Sequence, residues 1–480
     1  VRNLIRAEWT KLRTVRGWVV GLLAAIPLTV LVGLLGPAGS SFQCAGPHGE
    51  SCANRTLPTG PDGTPVRDDF TFVHRTLAGD GTITARVAPL EDAEPWAKAG
   101  VILKQSTKVG SPYAAVLRTG SHGTRMQQNF TGDTAGPSDA GWVRLSRKGN
   151  TLTGAASTDG EHWTTIGTAE IDLGATVEAG MFVSSPAHEE ITRSFGNIQE
   201  DSGPTQLTAT FDDVTTDGDW TGDWQHTDVG GEPDAETGFT DSAGEFAVTG
   251  RGDIAPMVFS GGSLTKTVEN TLVGGFAGLI AVLVVATMFV TGEHRRGLIR
   301  TSLAANPRRG RLLAAKGIVM GGVSFVVGVV AAGLTVPIVE ALEKAKGFSL
   351  FPTSTFTVLR VVVGTGLLFG VAAVLAVAVG MLLRRGAGTV TAMIVGIVLP
   401  YLLAVASVLP QAPAEWLTAV TPAAAFAVQQ SVREYPQVNT TYTPSDGYFP
   451  LSPAGGFAVL CLYAVVALVF AGLALRRRDA

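Results

Sequence analysis

Long apolar runs alternate with polar stretches along this chain, and their lengths separate two kinds of structure. A helix needs about 20 mostly apolar residues to cross the hydrocarbon core of a bilayer. Six runs qualify: Trp18–Leu35, Thr271–Val290, Ile318–Val339, Val358–Leu383, Gly388–Leu409 and Gly456–Leu475. No Asp, Glu, Lys or Arg interrupts the middle of any of them, and Arg360 lies near one end. Pro27, Pro337 and Pro400 are expected to kink or end their helices locally. The first run follows a basic segment, as a secretory signal would. It is long for such a signal and lacks a clear small-residue cleavage site, so it reads as a retained span.

Ahead of that run, Leu4, Ile5, Trp9, Leu12 and Val15 recur at a helical period, with Arg6, Thr10 and Arg13 opposite. The pattern predicts an amphipathic helix lying in the membrane interface. Gln411–Pro453 is too long for a tight turn. Its stretch Ala414–Val432 is apolar but broken by Pro422, and reads either as a pair of short helices dipping into the outer leaflet or as an external amphipathic helix.

Between the first two spans the period changes to two. Thr82–Val87, Ala99–Lys104, Tyr113–Arg118, Trp142–Ser157 and Val177–Ser184 alternate as strands do. Gly149-Asn150, Asp159-Gly160 and Gly79-Asp80-Gly81 supply turn chemistry between them. Many short alternating strands without helical periods predict an antiparallel sandwich. The segment Gly36–Asn270 is long enough for a complete domain.

Charge then orients the spans. The chain has 480 residues, 46% of them apolar, with a formal net charge of −4. Acidic residues concentrate in the β-patterned segment, and basic residues border the apolar runs. Arg2, Arg6, Lys11, Arg13 and Arg16 precede the first span; Thr291–Lys316 joins the second to the third; Arg384 and Arg385 join the fourth to the fifth; Arg476, Arg477 and Arg478 follow the sixth. If all six runs cross, every one of these flanks is on one side, which the positive-inside rule makes cytoplasmic. Both termini are then cytoplasmic and the β segment is outside. Orientation accounts for the basic clusters, and nothing in them points to nucleic acid.

Candidate chemistry is sparse. The sequence has no GxxxxGK[ST] phosphate loop, no nucleophile–base constellation and no metal-ligand spacing. Catalytic residues and a metal centre are therefore not expected. Asp212, Asp213, Asp217, Asp219 and Asp223 form an acidic cluster open to Ca²⁺, but without an EF-hand arrangement they read better as a solvated face or linker. Cys44 and Cys52 lie close together just past the first span and suit a small disulfide loop if they are external. Cys461, inside the last span, reads as packing. Trp96, Trp142 and Trp163 are candidate sugar-stacking platforms, with aromatic core as the commoner use. Glu189 and Glu190 are adjacent, so on a strand they face opposite ways, a poor geometry for a glycosidase pair. Arg251-Gly252-Asp253 and the sequons at Asn54, Asn129 and Asn439 are short enough to arise by chance. The glycine pairs Gly17/Gly21, Gly274/Gly278, Gly317/Gly321 and Gly366/Gly370 permit close helix packing.

Two family resemblances add to this reading. Arg6–Thr14 (RAEWTKLRT), the six-span plan and above all GEHRRGLIRTSLAANPRRGRLLAAK after the second span resemble the type-2 class of ABC export permeases. That resemblance implies a half-transporter paired as a homodimer or with a related permease and driven by separate cytoplasmic ATPases that use the ATP. It also implies a coupling helix in the 291–316 loop that meets the ATPase. The residues concerned are Glu293, Arg295, Arg296, Gly297, Leu298, Ile299, Arg300, Thr301 and Leu303. Glu293, the loop's acidic residue, is placed to pair with Arg295, Arg296 or a cation of the ATPase.

The phrases DDFTFVHRTLAGDGTITARV, PWAKAGVILK and WVRLSRKGNTLTGAASTDGEHWTTIG resemble a concanavalin A-like (lectin/glucanase-type) jelly-roll over about Asp68–Val214. In that family a phrase like Trp224–Ile254 precedes the DDF strand; here it follows, which implies a circularly permuted sandwich.

The expected plan is a polytopic α-helical membrane protein with an extracellular all-β sandwich inserted between its first and second helices. Residues 1–16 form the cytoplasmic interfacial helix, 17–36 the first span, 37–67 an external linker, and 68–256 the sandwich. Residues 269–480 carry spans two to six, with the cytoplasmic loop 291–316 and the external segment 411–453. The expected function is the permease subunit of an ATP-driven exporter in a bacterial plasma membrane, its sandwich contacting substrate, cell-wall polysaccharide or a partner. The alternative is a membrane-anchored glycan-binding or sensory protein on a permease-like scaffold that does not transport.

Overall fold

The computed structural model describes residues 2–38, 57–194, 197–231, 236–242, 244–259, 265–295, 309–438, 440 and 442–478. The chain begins with α1 (Arg2–Thr14) and α2 (Arg16–Ala38). The buried stripe of α1 runs through Glu8 and Leu12, flanked by Ile5 and Lys11, while Trp9 and Val15 are exposed. The apolar side expected from periodicity is thus rotated. A carboxylate occupies the buried face because it finds cations there, as described below.

The β domain follows. Its strands are β1 (Val66–Asp68), β2 (Phe70–Val87), β3 (Lys98–Lys104), β4 (Tyr113–Thr119), β5 (Thr124–Gln128), β6 (Gly132–Ala135), β7 (Trp142–Lys148), β8 (Thr151–Ser157), β9 (Thr164–Glu170), β10 (Thr176–Ser184), β11 (His188–Ser194), β12 (Asn197–Gly203), β13 (Leu207–Val229), β14 (Gly238–Ser242), β15 (Glu245–Gly250) and β16 (Ile254–Pro256). Twelve of them join one antiparallel sheet that forks along β2. The first half of β2 pairs with β10, beyond which lie β3, β4, β5 and β6; its second half pairs with β7, beyond which lie β8 and β9.

The two arms fold over each other. A Cβ on Gly154 of β8 would stand 2.7 Å from both Val116 of β4 and Met126 of β5, so the arms meet at interior packing distance. Val73, Leu77, Val101, Leu145, Leu152 and Met181 fill the space between them.

Gly79-Asp80-Gly81 is not a turn between strands. It is a bend inside β2, matched by an irregularity at Gly218/Asp219 on β13. Gly79 takes φ 67°, and Asp80 reaches across to accept from the backbone N–H of Gly149 at 2.6 Å. Gly149-Asn150 and Asp159-Gly160 do turn the chain, between β7 and β8 and between β8 and β9. The acidic stretch Asp212–Asp223 lies on the mostly exposed part of β13 that pairs with β2 alone, and no group of metal-ligating side chains occurs among the described residues. Glu245–Gly250 pairs with β13 and so belongs to the same sheet as Thr82–Val183.

The strands that enter and leave this domain pair with each other, Val66 opposite Pro256. Two buried ion pairs tie that seam to β3. Lys104 Nζ stands 2.7 Å from Asp68 Oδ2, and Lys98 Nζ 2.5 Å from Asp253 Oδ1. Burial raises the Asp68 pKa and lowers that of Lys104, and their mutual attraction opposes both shifts.

The remaining helices are α3 (Val268–Thr271), α4 (Gly275–Arg295), α5 (Arg309–Ala345), α6 (Thr355–Leu383), α7 (Gly386–Met393), α8 (Leu399–Val405), α9 (Gln411–Val420) and α10 (Pro453–Arg478). Among the described residues, six helical stretches have the length and apolar content to cross a membrane: α2, α4, α5, α6, α7–α8 together, and α10.

Helix α2 continues through Pro27 and α5 through Pro337. Before Pro400 the helix widens to a π-helical turn, Ile394–Val398, which relieves the clash of a proline ring with the preceding turn. Gly274 and Gly278 let α4 touch α2: a Cβ on Gly278 would lie 2.1 Å from Thr29 Oγ1. Gly366 and Gly370 similarly admit α5 against α6.

Segment 411–453 contains α9 and a 3₁₀ stretch, Pro422–Gln429, whose eight residues are all buried. Phe426 of that stretch stacks on Tyr401 at 3.8 Å, and Gln429 Nε2 donates to Thr365 Oγ1 at 3.1 Å. The β domain meets this end of the bundle, where Gln437 Nε2 donates to the carbonyls of Phe130 and Thr131, both at 3.3 Å.

Candidate functional site at the mouth of the 291–316 loop

At the opposite end of the bundle, three helices bring four charged side chains together. On α1, Glu8 and Lys11 are three residues apart and share a face. On α4, Phe289 and Glu293 stack one turn apart. Lys316 enters from the first turns of α5, at the far end of the loop. Its Nζ lies 2.7 Å from Glu8 Oε2 and 2.7 Å from Glu293 Oε1. Lys11 Nζ lies 2.9 Å from Glu8 Oε1 and 3.2 Å from the same Glu293 Oε1. The cluster holds two acids and two bases and is electrically balanced.

It is also dry. Lys316 is 0% exposed, Glu8 1% and Glu293 5%. The Lys316 ammonium lies 4.7 Å from the centre of the Phe289 ring, whose edge contact with Trp18 at 5.2 Å extends the cluster to α2. Burial pulls the Lys11 pKa down, but hydrogen bonds and charge from Glu8 and Glu293 outweigh it, and the net shift is upward. Glu293 Oε2 is buried without a hydrogen-bond partner among the described residues.

Of the residues expected at the loop, Glu293 is in this cluster, where it pairs with Lys11 and Lys316. Arg295 is the last residue of α4. Arg296, Gly297, Leu298, Ile299, Arg300, Thr301 and Leu303 lie outside the described residues, as do Cys44, Cys52, Asn54 and Asn439. Glu8 and Lys316 were not singled out from sequence. A signal was present: Glu8 and Glu293 are isolated acids in otherwise basic flanks, and Lys316 stands where the loop gives way to an apolar run.

The three tryptophans of the β domain sit elsewhere. Trp96 is 5% exposed, stacked on His122 at 4.0 Å with the Arg125 guanidinium 5.3 Å from its ring. Trp163 is half-buried beneath the Arg144 guanidinium at 3.6 Å, and Trp142 is half-buried against Gly160. Glu189 stands 3.8 Å from Arg67.

Six spans with an inserted β domain define a multi-pass membrane protein. The family model described as ABC-2 family transporter protein matches residues 98–480, and the chain belongs to that family. Family members are membrane components of transporters, and a permease role follows for this chain. The match starts at Lys98 in β3, so it includes most of the β domain and all the later helices, but not α1 or α2. No curated protein matches the chain.

Among solved structures, a functionally unknown protein from Saccharomyces cerevisiae is similar at 15% identity and TM-score 0.22, covering 34% of this chain and 81% of that one. SCP-B, a member of the Eqolisin family of peptidases, is similar at 11% identity and TM-score 0.24, covering 38% of this chain and 98% of that one. Scytalido-glutamic peptidase is similar at 13% identity and TM-score 0.25, with the same coverages of 38% and 98%.

Proposed function

We propose that this chain is the membrane-spanning subunit of an ATP-driven exporter, coupled to a separate cytoplasmic ATPase through the 291–316 loop. The observation that carries this reading is the pair of anchors at the loop's ends. Glu293 and Lys316 bind each other and both bind α1, so a push on the loop reaches α4, α5 and α1 together. Coupling needs such a contiguous element between motor and spans. Glu293 Oε2, buried and unpartnered among the described residues, offers an acceptor to the loop's own arginines or to the ATPase.

In this reading the cluster end of the bundle is cytoplasmic, in accord with the basic flanks, and the β domain is extracellular. Two such subunits, or this one and a related permease, enclose the path. The β domain is a circularly permuted concanavalin A-like sandwich that contacts substrate, wall polysaccharide or a partner. The seating of Glu245–Gly250 in the same sheet as Thr82–Val183 supports the permutation.

Purification from native membranes under conditions that preserve other ABC complexes tests the reading. A co-purifying ATPase is expected. Substitutions across Gly297–Leu303 should leave ATP hydrolysis running but abolish its link to transport. Recovery of the chain without any ATPase would leave a membrane-anchored surface protein as the better account.

A further inference from the structure

At the β-domain end of the bundle, a cavity of about 630 Å³ opens between the first turns of α6 and α10 and the 430–434 stretch. Its polar wall carries Arg360, Arg433 and Glu434, and its apolar wall Phe356, Phe449 and Leu451. The Arg360 guanidinium donates to the backbone carbonyls of Gln430 at 2.5 Å and Val428 at 3.5 Å, both neutral acceptors. Neither Arg360 nor Arg433 forms an ion pair among the described residues. Within the lining one carboxylate stands against two guanidinium groups, while the buried Glu269, bonded to Ser431 of the same stretch, acts electrostatically on Arg360. A half-buried Arg with unspent donors is suited to a phosphate oxygen.

Two further features say what carries the phosphate. The cavity lies where two spans begin, since α6 starts at Thr355 and α10 at Pro453, which is the level of the headgroups. From its mouth an exposed apolar stripe runs down α6 through Phe356, Leu359, Val363 and Leu367, with Phe356 76% exposed. At 1.5 Å per residue the stripe is about 16 Å long, roughly half of a hydrocarbon core of about 30 Å. A recess carrying two guanidinium groups and continuous with one leaflet's depth of apolar surface matches a headgroup joined to an acyl chain.

We propose that this cavity binds the phosphate of a phospholipid from the leaflet on the β-domain side, with an acyl chain along the Phe356–Leu367 stripe. The site goes beyond the coupling reading and does not depend on it, because binding is measured on the chain without an ATPase. The bound phosphodiester accepts from the guanidinium donors of Arg360 and Arg433.

The delipidated full chain in a neutral detergent is titrated with dioctanoyl phosphatidylglycerol and followed by native mass spectrometry. Dioctanoylglycerol, which has chains but no phosphate, and inorganic phosphate, which has no chains, are the comparison probes. One phosphatidylglycerol is expected to bind, neither comparison probe displacing it at equal concentration. Arg360→Gln should weaken binding at least about tenfold, the scale of one lost charge-assisted contact. Arg360 also holds the carbonyls of the 428–430 segment, so Arg433→Gln, an exposed position, serves as the second variant and should weaken binding several-fold with unchanged thermal stability.

Equal binding of dioctanoylglycerol would overturn the phosphate site, and equal competition by inorganic phosphate would overturn the lipid as its source. Wild-type affinity in both variants would overturn the role of the two arginines.

Discussion

Lys316 Nζ and Glu293 Oε1 lie 2.7 Å apart although 23 positions separate them in the chain, and that contact draws the two ends of the 296–308 stretch together. The same ammonium reaches Glu8, 308 positions away, so one buried cation joins the beginning of the chain to both sides of the loop. Its removal is correspondingly informative.

Lys316→Met should leave Glu8 and Glu293 sharing only the partly exposed Lys11, with one negative charge uncompensated. Breaking a buried charge network by removing one partner costs about 3–5 kcal/mol. The detergent-solubilised chain should therefore unfold at a clearly lower temperature. Lys316→Met combined with Glu293→Gln should recover part of the loss, because the stranded charge is also gone. A double-mutant cycle that shows simple additivity would mean the two residues do not act as a pair.

The contact between α2 and α4 is set by absent side chains. Gly278→Ala would drive a methyl group to 2.1 Å from Thr29 Oγ1, a buried hydroxyl already donating to the Ala25 carbonyl at 2.8 Å. Overpacking of this kind costs about 1–3 kcal/mol. Gly322→Ala, where a Cβ meets nothing within 4 Å, should cause no loss. Thermal unfolding of the two variants side by side distinguishes a packing effect from a general intolerance of alanine.

In the β domain, Lys104→Met should be costly and Asp68→Leu with Lys104→Met much less so. The single change leaves the Asp68 carboxylate buried among Phe70, Tyr113 and Phe130, at a loss of about 3–5 kcal/mol. The paired change removes both charges, and apolar replacements of a buried pair are often neutral. Protease resistance of the β domain in the full chain is the measurement, and equal susceptibility of the two variants would contradict the pairing.

The turn after β8 should be sensitive to acid. Hydrogen bonds from the backbone N–H and ring of His162, then from the Glu161 N–H and Ser157 hydroxyl, hold the Asp159 carboxyl well below its usual 3.8. A depressed folded pKa contributes stability above the unfolded value and loses it as pH falls toward the folded one. Amide protection at Glu161 and His162 should therefore decline as pH falls below about 3.8, by the shift just described. Asp159→Asn should remove most of that dependence; an unchanged acid profile would show that the carboxylate is not responsible.

Much of the architecture was legible in one dimension. Apolar run length is a local property, and six runs marked six spans because a bilayer imposes one thickness on every crossing. Period-two alternation marked β3, β4, β7, β8 and β10 for a similar reason, since each strand divides its residues between two faces. The bend at Gly79–Gly81 escaped because glycine permits a turn and a bulge equally. Only the partner strand β13, carrying its own irregularity at Gly218, selects the bulge.

The same division governs the loop. Its basic flanks, its neighbouring apolar runs and its family likeness are written in consecutive residues. That Glu8 is buried, that Lys316 lies between two carboxylates, and that α1 turns Glu8 inward beside Leu12 depend on atoms distant in sequence. A charge inside a helix face is disfavoured until opposite charges arrive from other helices. Sequence alone determined where the apolar spans and the strands β3, β4, β7, β8 and β10 lie. The tertiary structure decided which isolated charges meet, because pairing energy exists only once separate elements have packed.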